Sequence, residues 1–384
     1  MFKYLLLSFL SVGLTSCGIL GGKDNSEPPA PLVNFSPTLT LKTLWTARTG
    51  SNVSQDYLRI GPTFYNEQLI ITSPQGQVQA LKFKDGERVW MQKIGVPIST
   101  SAGIGEDLIL IGSHKGDVVA LAATDGKEIW RTHVPSEVLV PPQISQGVVV
   151  VRTVDGKLFG LTSQNGKQLW VYERSTVPLL TLRGTSTPLV VNDLIIAGFD
   201  NGKLAALELH TGKVLWEAPV AVPSGRTELE RMVDIDADPV LANKVIYVSS
   251  YQGRTVAIDL LQGKLLWERD IFSYVGLGID DHALYVTDTK SHIWALDRNN
   301  GASLWKQTQL QARGLTAPVS IGDYLVVGDK EGYLHWLQRD NGQFVARYRL
   351  SHSRILVSPL VVDDTLVASD SRGRLVVLQP NWKG

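Results

Sequence analysis

The 384-residue sequence contains a single cysteine, three methionines and no excess of either charge. Its 37 lysines and arginines balance 37 aspartates and glutamates, so the composition offers neither a basic footprint for nucleic acid nor a polybasic patch for a membrane. The lone Cys17 excludes an internal disulfide and any zinc site built on paired cysteines. Binding must therefore depend on local surfaces.

Motifs of catalysis and metal binding are also missing. The seven histidines show no HExxH spacing, and the chain has no GxSxG nucleophile elbow. Aspartates such as Asp125, Asp155 and Asp340 stand beside or near glycines in turn-like segments, where aspartate is favoured for backbone reasons. We therefore predict neither a catalytic residue nor a metal site.

Helical periodicity is absent, because no stretch keeps apolar residues at the i, i+3, i+4, i+7 spacing, and this favours an all-β chain. The sequence instead repeats one phrase, in which glycine, four residues, a small-apolar pair, four residues, glycine and three residues lead to tryptophan. A repeat at intervals of 38 to 51 residues is stronger evidence for the fold than any local pattern in the sequence. The phrase ends at Trp90, Trp130, Trp170, Trp216, Trp267 and Trp305, and a seventh copy has Ala346 in place of the tryptophan.

Each repeat predicts four short strands. Runs such as LIIT at 69–72 and LILI at 108–111 are rich in leucine and β-branched residues and are bounded by turn residues. The Asp-Gly, Asn-Gly, Thr-Gly and Gln-Gly pairs favour tight hairpins. Four antiparallel strands every forty-odd residues form the blade of a β-propeller, which must stack on its neighbours. Residues 41–384 are therefore predicted to form an eight-bladed β-propeller of four-stranded antiparallel blades.

The two ends of the chain predict how the ring closes. The eighth copy stops at Gly384 without an outer strand, and LKTLW at 41–45 supplies a strand with a tryptophan but no glycine phrase before it. The N-terminal strand should complete the last blade and remove an open sheet edge. Outer-strand tryptophans should lie across the seams between blades, each burying roughly 150–250 Å². These seam tryptophans are Trp45, Trp90, Trp130, Trp170, Trp216, Trp267 and Trp305.

The first forty residues have a different composition. Residues 1–16 carry a lysine, a short apolar run and small residues, the layout of a signal peptide rather than a spanning helix. The segment LTSC at 14–17 resembles the lipobox of bacterial lipoproteins, which implies that Cys17 is lipidated. By the same resemblance, Gly18 implies sorting to the outer membrane. Residues 17–40 would then be the lipidated cysteine and a flexible tether that reaches about 25–30 Å.

The segments ALELHTGKVLW and AIDLLQGKLLW resemble the tryptophan-docking repeats of eight-bladed pyrroloquinoline-quinone dehydrogenases. That resemblance implies the fold only, because those enzymes also carry a vicinal cysteine pair and calcium ligands, and this chain has no second cysteine. The lipobox, the tether, the repeats and the segments LLTLRGTSTP at 179–188 and GRTELERMVDIDADP at 225–239 together resemble the BamB family, the lipoprotein subunits of the outer-membrane β-barrel assembly machinery.

In that family the propeller docks on the periplasmic domains of the insertase BamA. The two segments also stand out by length, since the spacings that contain them are 46 and 51 residues, against 38 to 41 for the other tryptophan spacings after Trp90. Long loops on a rigid scaffold commonly carry function. An alternative is that Arg183 pairs with a carboxylate only to fix the loops. The partner-binding residues implied by the resemblance are Leu180, Leu182, Arg183, Asp234 and Asp236.

We therefore expect a non-enzymatic scaffold lipoprotein, anchored to the periplasmic face of the outer membrane by the lipid on Cys17 and holding no other cofactor. Its expected partners are the periplasmic domains of BamA, other lipoproteins of the complex and nascent outer-membrane β-barrel proteins. The ring would either orient the insertase domains or add a strand to unfolded substrate at a blade edge. The alternatives are a diverged quinone-dependent periplasmic dehydrogenase and a ligand-binding propeller.

Overall fold

The computed structural model describes residues 27–50, 52–53, 58–174 and 185–381, and in those ranges it places thirty-two β-strands. The strands form eight four-stranded antiparallel sheets whose inner strands contact one another around the ring. Seven sheets follow the chain from inner to outer strand, and in the eighth β1 is the outer strand. The predicted eight-bladed propeller, closed by its N-terminal strand, is confirmed. No helix in these ranges is long and apolar enough to cross a bilayer.

The strands are grouped here by blade. Blades 1 to 4 contain β2 (Thr63–Tyr65), β3 (Gln68–Ser73), β4 (Gln77–Lys82) and β5 (Arg88–Lys93); β6 (Gly103–Gly105), β7 (Leu108–Gly112), β8 (Asp117–Ala122) and β9 (Glu128–His133); β10 (Gln143–Ser145), β11 (Val148–Arg152), β12 (Leu158–Thr162) and β13 (Gln168–Tyr172); and β14 (Leu189–Val191), β15 (Leu194–Gly198), β16 (Lys203–Glu208) and β17 (Val214–Pro219). Blades 5 to 8 contain β18 (Val240–Ala242), β19 (Val245–Ser249), β20 (Thr255–Asp259) and β21 (Leu265–Arg269); β22 (Leu277–Ile279), β23 (Leu284–Thr287), β24 (Ile293–Leu296) and β25 (Ser303–Gln307); β26 (Val319–Ile321), β27 (Tyr324–Gly328), β28 (Tyr333–Gln338) and β29 (Phe344–Arg349); and β30 (Leu360–Val362), β31 (Thr365–Ser369), β32 (Arg374–Asn381) and β1 (Thr40–Arg48).

The hydrophobic core lies between the blades. The second strand of a blade is buried along its whole length or all but one end residue, as in β7, where all five residues are buried. Continuous apolar runs replace the usual alternation because neighbouring blades cover both faces of each sheet. One cluster, for example, joins Ile70 of blade 1 to Ile109 of blade 2. No blade could bury these faces alone, so the ring is the folding unit.

Each seam tryptophan lies on a glycine of the next blade. The glycine is in the turn between the third and fourth strands and has a positive φ, as at Gly263 (φ +66°), where a Cβ would lie 2.6 Å from the Trp216 ring. The Trp216 indole N–H donates to the Leu260 carbonyl in the same turn at 3.1 Å. Burying such a ring contributes on the order of 4–6 kcal/mol before entropy is subtracted. The seven pairs are Trp45–Gly86, Trp90–Gly126, Trp130–Gly166, Trp170–Gly212, Trp216–Gly263, Trp267–Gly301 and Trp305–Gly342.

Blade 7 exchanges the large and small residues of this arrangement. In blades 1 to 6 the seam tryptophan pairs across the sheet with alanine or glycine on the third strand, as Trp130 does with Ala120. In blade 7 the pair is reversed, with Trp336 on the third strand and Ala346 on the outer strand. Trp336 is fully buried. The exchange conserves the volume of the pair, and such swaps are the ones that cores tolerate best. This explains the missing tryptophan of the seventh repeat.

A β-bulge interrupts each outer strand immediately before the seam position. In blade 4, Trp216 pairs with Ala206 and Val214 pairs with Leu207, so Leu215 has no partner across the sheet. Bulges are one way in which proteins blunt open sheet edges. Seven of these bulge residues are 38–51% exposed, whereas Val345 of blade 7 is 5% exposed. The bulge residues are Leu44, Val89, Ile129, Leu169, Leu215, Leu266, Leu304 and Val345.

Residues 27–39, here called the strap, cover Val345. The Thr38 and Leu39 N–H groups both donate to the Val345 carbonyl, at 2.9 and 3.1 Å. Leu39 enters the core between blades 7 and 8, and the Phe35 ring stacks on Phe344 with centroids 5.4 Å apart. The strap thus fills the one seam whose outer strand brings no tryptophan.

The strap differs from the flexible tether expected over residues 17–40. Its Pro-rich composition is typical of a linker, but Phe35 and Leu39 find apolar partners on blade 7 that composition does not reveal. The tether is therefore docked from residue 27 onward. The expected signal peptide and Cys17 lie outside the described residues.

The seam predicts unequal costs for two glycine substitutions. Gly263→Ala combines a positive φ with a clash against Trp216, whereas Gly95→Ala meets the same backbone strain (φ +74°) but has no atom within 4 Å of the new Cβ. We expect chemical denaturation to show a loss of about 1 kcal/mol for Gly95→Ala and about 2–4 kcal/mol for Gly263→Ala. Equal losses would show that the indole is not confined by the glycine.

Candidate partner-binding face

The topology places two long connections on the same face of the ring. Because the strands of every blade run alternately up and down, each connection from an outer strand to the next inner strand lies on one face, here called the connector face. Its long members are residues 173–188, between β13 and β14, and residues 220–239, between β17 and β18. Leu180, Leu182 and Arg183 belong to the first connector and lie outside the described residues.

The second connector has an exposed half. Residues 222–231 are all exposed, and they include Val222 at 68% and Leu229 at 61%. The Arg231 N–H donates to the carbonyls of Thr227 and Glu228, each at 3.2 Å, which closes a single helical turn. Leu229 is therefore an apolar side chain on a small projection from the connector face.

Thr227 and Glu230 form a capping box that fixes this turn. The Glu230 N–H donates to Thr227 Oγ1 at 3.2 Å, and Glu230 Oε2 accepts the N–H groups of Arg226 at 2.7 Å and Thr227 at 3.2 Å. These backbone hydrogen bonds, that from Arg226 first, lower the pKa of Glu230. The Gln252 side-chain amide of blade 5 donates to the Leu229 carbonyl at 3.3 Å. The turn is thus held both internally and by the neighbouring blade.

The other half of this connector, residues 232–237, is buried. Asp234 is 0% and Asp236 2% exposed, so the structure places both predicted partner-binding carboxylates inside the protein. Between them, the Ile235 N–H donates to the Phe199 carbonyl at 3.3 Å, and its side chain enters the core of blades 4 and 5. These two aspartates therefore belong to the support of the connector.

A buried arginine joins blade 3 to blade 4 and to the first connector. Arg152, at the end of β11, places Nη2 3.6 Å from Asp200 Oδ1, and its Nη1 donates to the carbonyl and hydroxyl of Ser186 at 3.2 and 3.0 Å. Burial raises the pKa of Asp236 to about 6, while the positive charges of Arg59 and Arg152 oppose the rise. Burial also lowers the pKa of Arg152, and the carboxylates of Asp200 and Asp236 oppose that change. Arg152 therefore couples blades 3 and 4 to the first connector by direct contact, and its charge acts on Asp236 of the second.

A second cross-contact lies beside the central channel. Asp238 Oδ1 accepts the Thr187 N–H of the first connector at 2.6 Å. Asp238 opens onto a cavity of about 570 Å³ that is also lined by Arg59, Lys330 and Arg354. Desolvation by the surrounding protein raises the pKa of the Asp238 carboxylate. Within the described ranges, no group of three or more His, Cys, Asp or Glu side chains could hold a metal ion.

Sequence reasoning missed Arg152, Asp200 and Asp238. Arg152 ends an apolar run, VVVV at 148–151, and nothing in its neighbours distinguishes it from an exposed strand end. The alternation of aspartates at 234, 236 and 238 was the available signal, since an acidic run next to buried strands needs cationic partners. The structure supplies Arg152 from two repeats earlier in the chain.

Replacing Arg152 by methionine should remove the cation beside Asp200 and one of the two cations that act on Asp236. We expect a loss of about 3–5 kcal/mol at pH 7 in chemical denaturation. Because Asp236 titrates near 6 in the folded state and near 3.8 when unfolded, the folded state binds more protons between these values. Its contribution should therefore raise stability as the pH falls through this window.

Arg152→Met should enlarge that pH dependence, since losing a cation raises the pKa of Asp236 further. Arg254→Met is the control, because its ion pair with Glu268 is partly exposed and should contribute at most about 1 kcal/mol. A similarly small loss for Arg152→Met, with an unchanged pH profile, would contradict the coupling of Arg152 to Asp236.

Comparisons with known proteins point to one family. A family model described as "Outer membrane protein assembly factor BamB" matches residues 75–307. A protein of Alkalilimnicola ehrlichii with that description is 51% identical, over 82% of this chain and 82% of its own length. The crystal structure of BamB from Moraxella catarrhalis has a TM-score of 0.81 at 28% identity, over 88% of this chain and 100% of that chain.

Quinone-type enzymes are similar in fold alone. A europium-containing methanol dehydrogenase has a TM-score of 0.74, over 88% of this chain and 93% of that chain, but its sequence identity is 12%. A fold shared at that identity carries no activity with it. The family match and the sequence identity to the Alkalilimnicola protein agree, and the chain belongs to the BamB family of outer membrane protein assembly factors.

Proposed function

We propose that this chain is a non-enzymatic scaffold lipoprotein of the outer-membrane protein assembly machinery, anchored at the periplasmic face through a lipid on Cys17. Its family is named for outer membrane protein assembly. The structural observation that carries the proposal is the pair of long connectors, joined by the hydrogen bond between Thr187 and Asp238 and ending in a fixed projection at Leu229. A rigid base with an exposed apolar anchor suits a protein partner.

The partner of the connector face is inferred to be the periplasmic part of the insertase BamA, with other lipoproteins of the complex nearby. Leu180, Leu182 and Arg183 keep their proposed role as contacts on the first connector. On the second connector, the buried Asp234 and Asp236 would hold the loop in place, and Leu229 would make the contact. Charged residues of both signs surround Leu229, as is typical of the rim of an interface. They are Arg226, Glu228, Glu230 and Arg231.

Leu229→Asp should weaken recovery of the insertase with this protein from detergent-solubilised envelopes. Placing a carboxylate at an apolar anchor costs 2 kcal/mol or more, which corresponds to roughly a thirtyfold loss of affinity. Leu261→Asp is the matched control, because Leu261 is 65% exposed against 61% for Leu229 but lies in a turn on the opposite face.

Arg183→Glu, on the first connector, should behave like Leu229→Asp at equal expression. Equal recovery for Leu229→Asp, Leu261→Asp and the unaltered chain would remove the second connector from the interface. Failure of the unaltered chain to recover the insertase would overturn the proposed partner altogether.

The strap favours nascent β-barrel proteins as a second partner. It shows how an extended segment docks on an outer strand of this ring, with two successive N–H groups on the bulge carbonyl of Val345. The other seven bulge residues are apolar and 38–51% exposed. Because a bulge interrupts pairing, an added segment would bind locally at the bulge instead of extending the whole sheet.

Leu215→Lys combined with Leu266→Lys should reduce cross-linking of an unfolded outer-membrane β-barrel protein, diluted from urea, to the isolated ring. Two charges on adjacent blades would remove apolar contact and leave the connector face intact. Leu261→Lys is the control, because Leu261 is more exposed (65%) than Leu215 (51%) or Leu266 (49%) but is not a bulge residue, so its substitution should have no effect. Unchanged cross-linking in the double variant would exclude the bulges as the docking points, and reduced insertase recovery would contradict the separation of the two surfaces.

A further inference from the structure

The strap changes the face from which the N-terminal segment leaves the ring. β1 runs toward the connector face, because Arg48 at its end leads into the connection to blade 1. Its first residue, Thr40, pairs with Asn381 at the far end of β32 and therefore lies on the opposite face. A tether that was free up to Thr40 would leave the propeller from that opposite face.

The docked strap carries the chain back across the ring. From Thr38, at the Val345 bulge, it runs along blade 7 to the connection between β25 and β26, residues 308–318, on the connector face. There the Ala30 N–H donates to the Gln311 carbonyl at 2.9 Å, and the Gln311 amide donates to Glu27 Oε1 at 2.5 Å. Residue 27 is thus on the connector face.

Two positioned cations hold the backbone of the strap. Arg313 donates to the Ala30 carbonyl at 2.8 Å, and Arg347 donates to the Val33 carbonyl at 3.0 Å. Arg313 is 1% exposed and is fixed by Asp329 at 2.7 Å and Glu331 at 2.5 Å. The Arg347 guanidinium also lies 5.0 Å from the Phe35 ring centroid.

The strap sequence favours docking as well. Prolines at 28, 29, 31 and 37 restrict the undocked chain, so less conformational entropy is lost on docking. The docking site for the strap is therefore preformed: Arg313 and Arg347 are in place, and the strap that binds them is stiffened by its prolines.

We propose that the docked strap determines which face of the ring lies toward the membrane, by delivering the anchored N-terminus to the connector face beside blades 6 and 7. The inference rests on the lipid anchor at Cys17 proposed above. Glu27 lies ten positions after Cys17, a span of at most about 33–36 Å, whereas the 23 positions from Cys17 to Thr40 could extend to about 80 Å. Docking thus holds the partner-binding connectors close to the lipid surface.

Two probes on blade 6 test this orientation. The acylated full-length protein would be reconstituted in phosphatidylcholine vesicles that contain a headgroup-quencher lipid. A fluorophore would be attached through Thr308→Cys, on the connector face, or Asn299→Cys, in the turn on the opposite face; both sites are exposed. Acylation of Cys17 leaves the introduced thiol as the only free one. We expect stronger quenching at position 308 than at position 299.

The strap variant replaces residues 28–36 by a Gly/Ser sequence of equal length, which keeps the reach of the chain but removes Phe35 and three of the four prolines. The difference between the probes should then be lost, while Asn34→Ser, at an exposed strap position, should preserve it. Phe35→Ser is a second, milder variant that should reduce the difference. Far-UV circular dichroism would check that the ring is folded.

The possible outcomes test the role of the strap and the lipid anchor independently. Protein that fails to sediment with vesicles would overturn the lipid anchor. Vesicle-bound protein with equal quenching at both probes, or with stronger quenching at position 299, would overturn the orientation alone. A folded Gly/Ser variant that keeps the native difference would show that the strap does not set the orientation.

Discussion

The structure depends on the contact of an indole ring with a glycine of the next blade. The glycine is needed twice, because the turn requires a positive φ and because the tryptophan occupies the space of any Cβ. In six of the seven pairs the indole N–H also donates to the carbonyl three residues before that glycine, as in the Trp216–Leu260 pair; Trp90 is the exception. Each seam therefore fixes the position of one blade against the next, and connectors of different length can be carried without disturbing the ring.

The seam between blades 7 and 8 shows what happens where this contact cannot form. Blade 8 takes its outer strand from the N-terminus, so it has no turn between third and fourth strands to offer a glycine. The tryptophan of blade 7 stands instead on β28 as Trp336, and Phe35 and Leu39 of the strap supply apolar surface from outside the repeat. One substitution in the repeat and a docked segment thus solve the same packing problem.

The fold could be predicted from the sequence because its determinants are local and repeated: the glycine pairs, the apolar runs and the tryptophan spacing. The orphan strand at 41–45 also predicted the closure of the ring. The burial of Asp234 and Asp236 could not be predicted, since it depends on the packing of their connector, through Ile235, against Phe199 and the core of blades 4 and 5. The docking of the strap could not be predicted for a similar reason. Its Pro-rich composition describes the free chain, whereas docking depends on Arg313 and Arg347, which lie 283 and 314 residues from the strap residues they bind.

The pairing of β1 with β32 also sets the order in which the molecule can be completed. The two strands are joined along nearly their whole length, although Arg48 and Arg374 are separated by most of the chain. Contacts of such long sequence separation form late, because the intervening loop must close first. The ring therefore cannot be sealed until its last repeat is available, because β1 has no strand to pair with until β32 is present. Closure by strands from both ends of the ring makes the native fold depend on the last repeat as much as on the first.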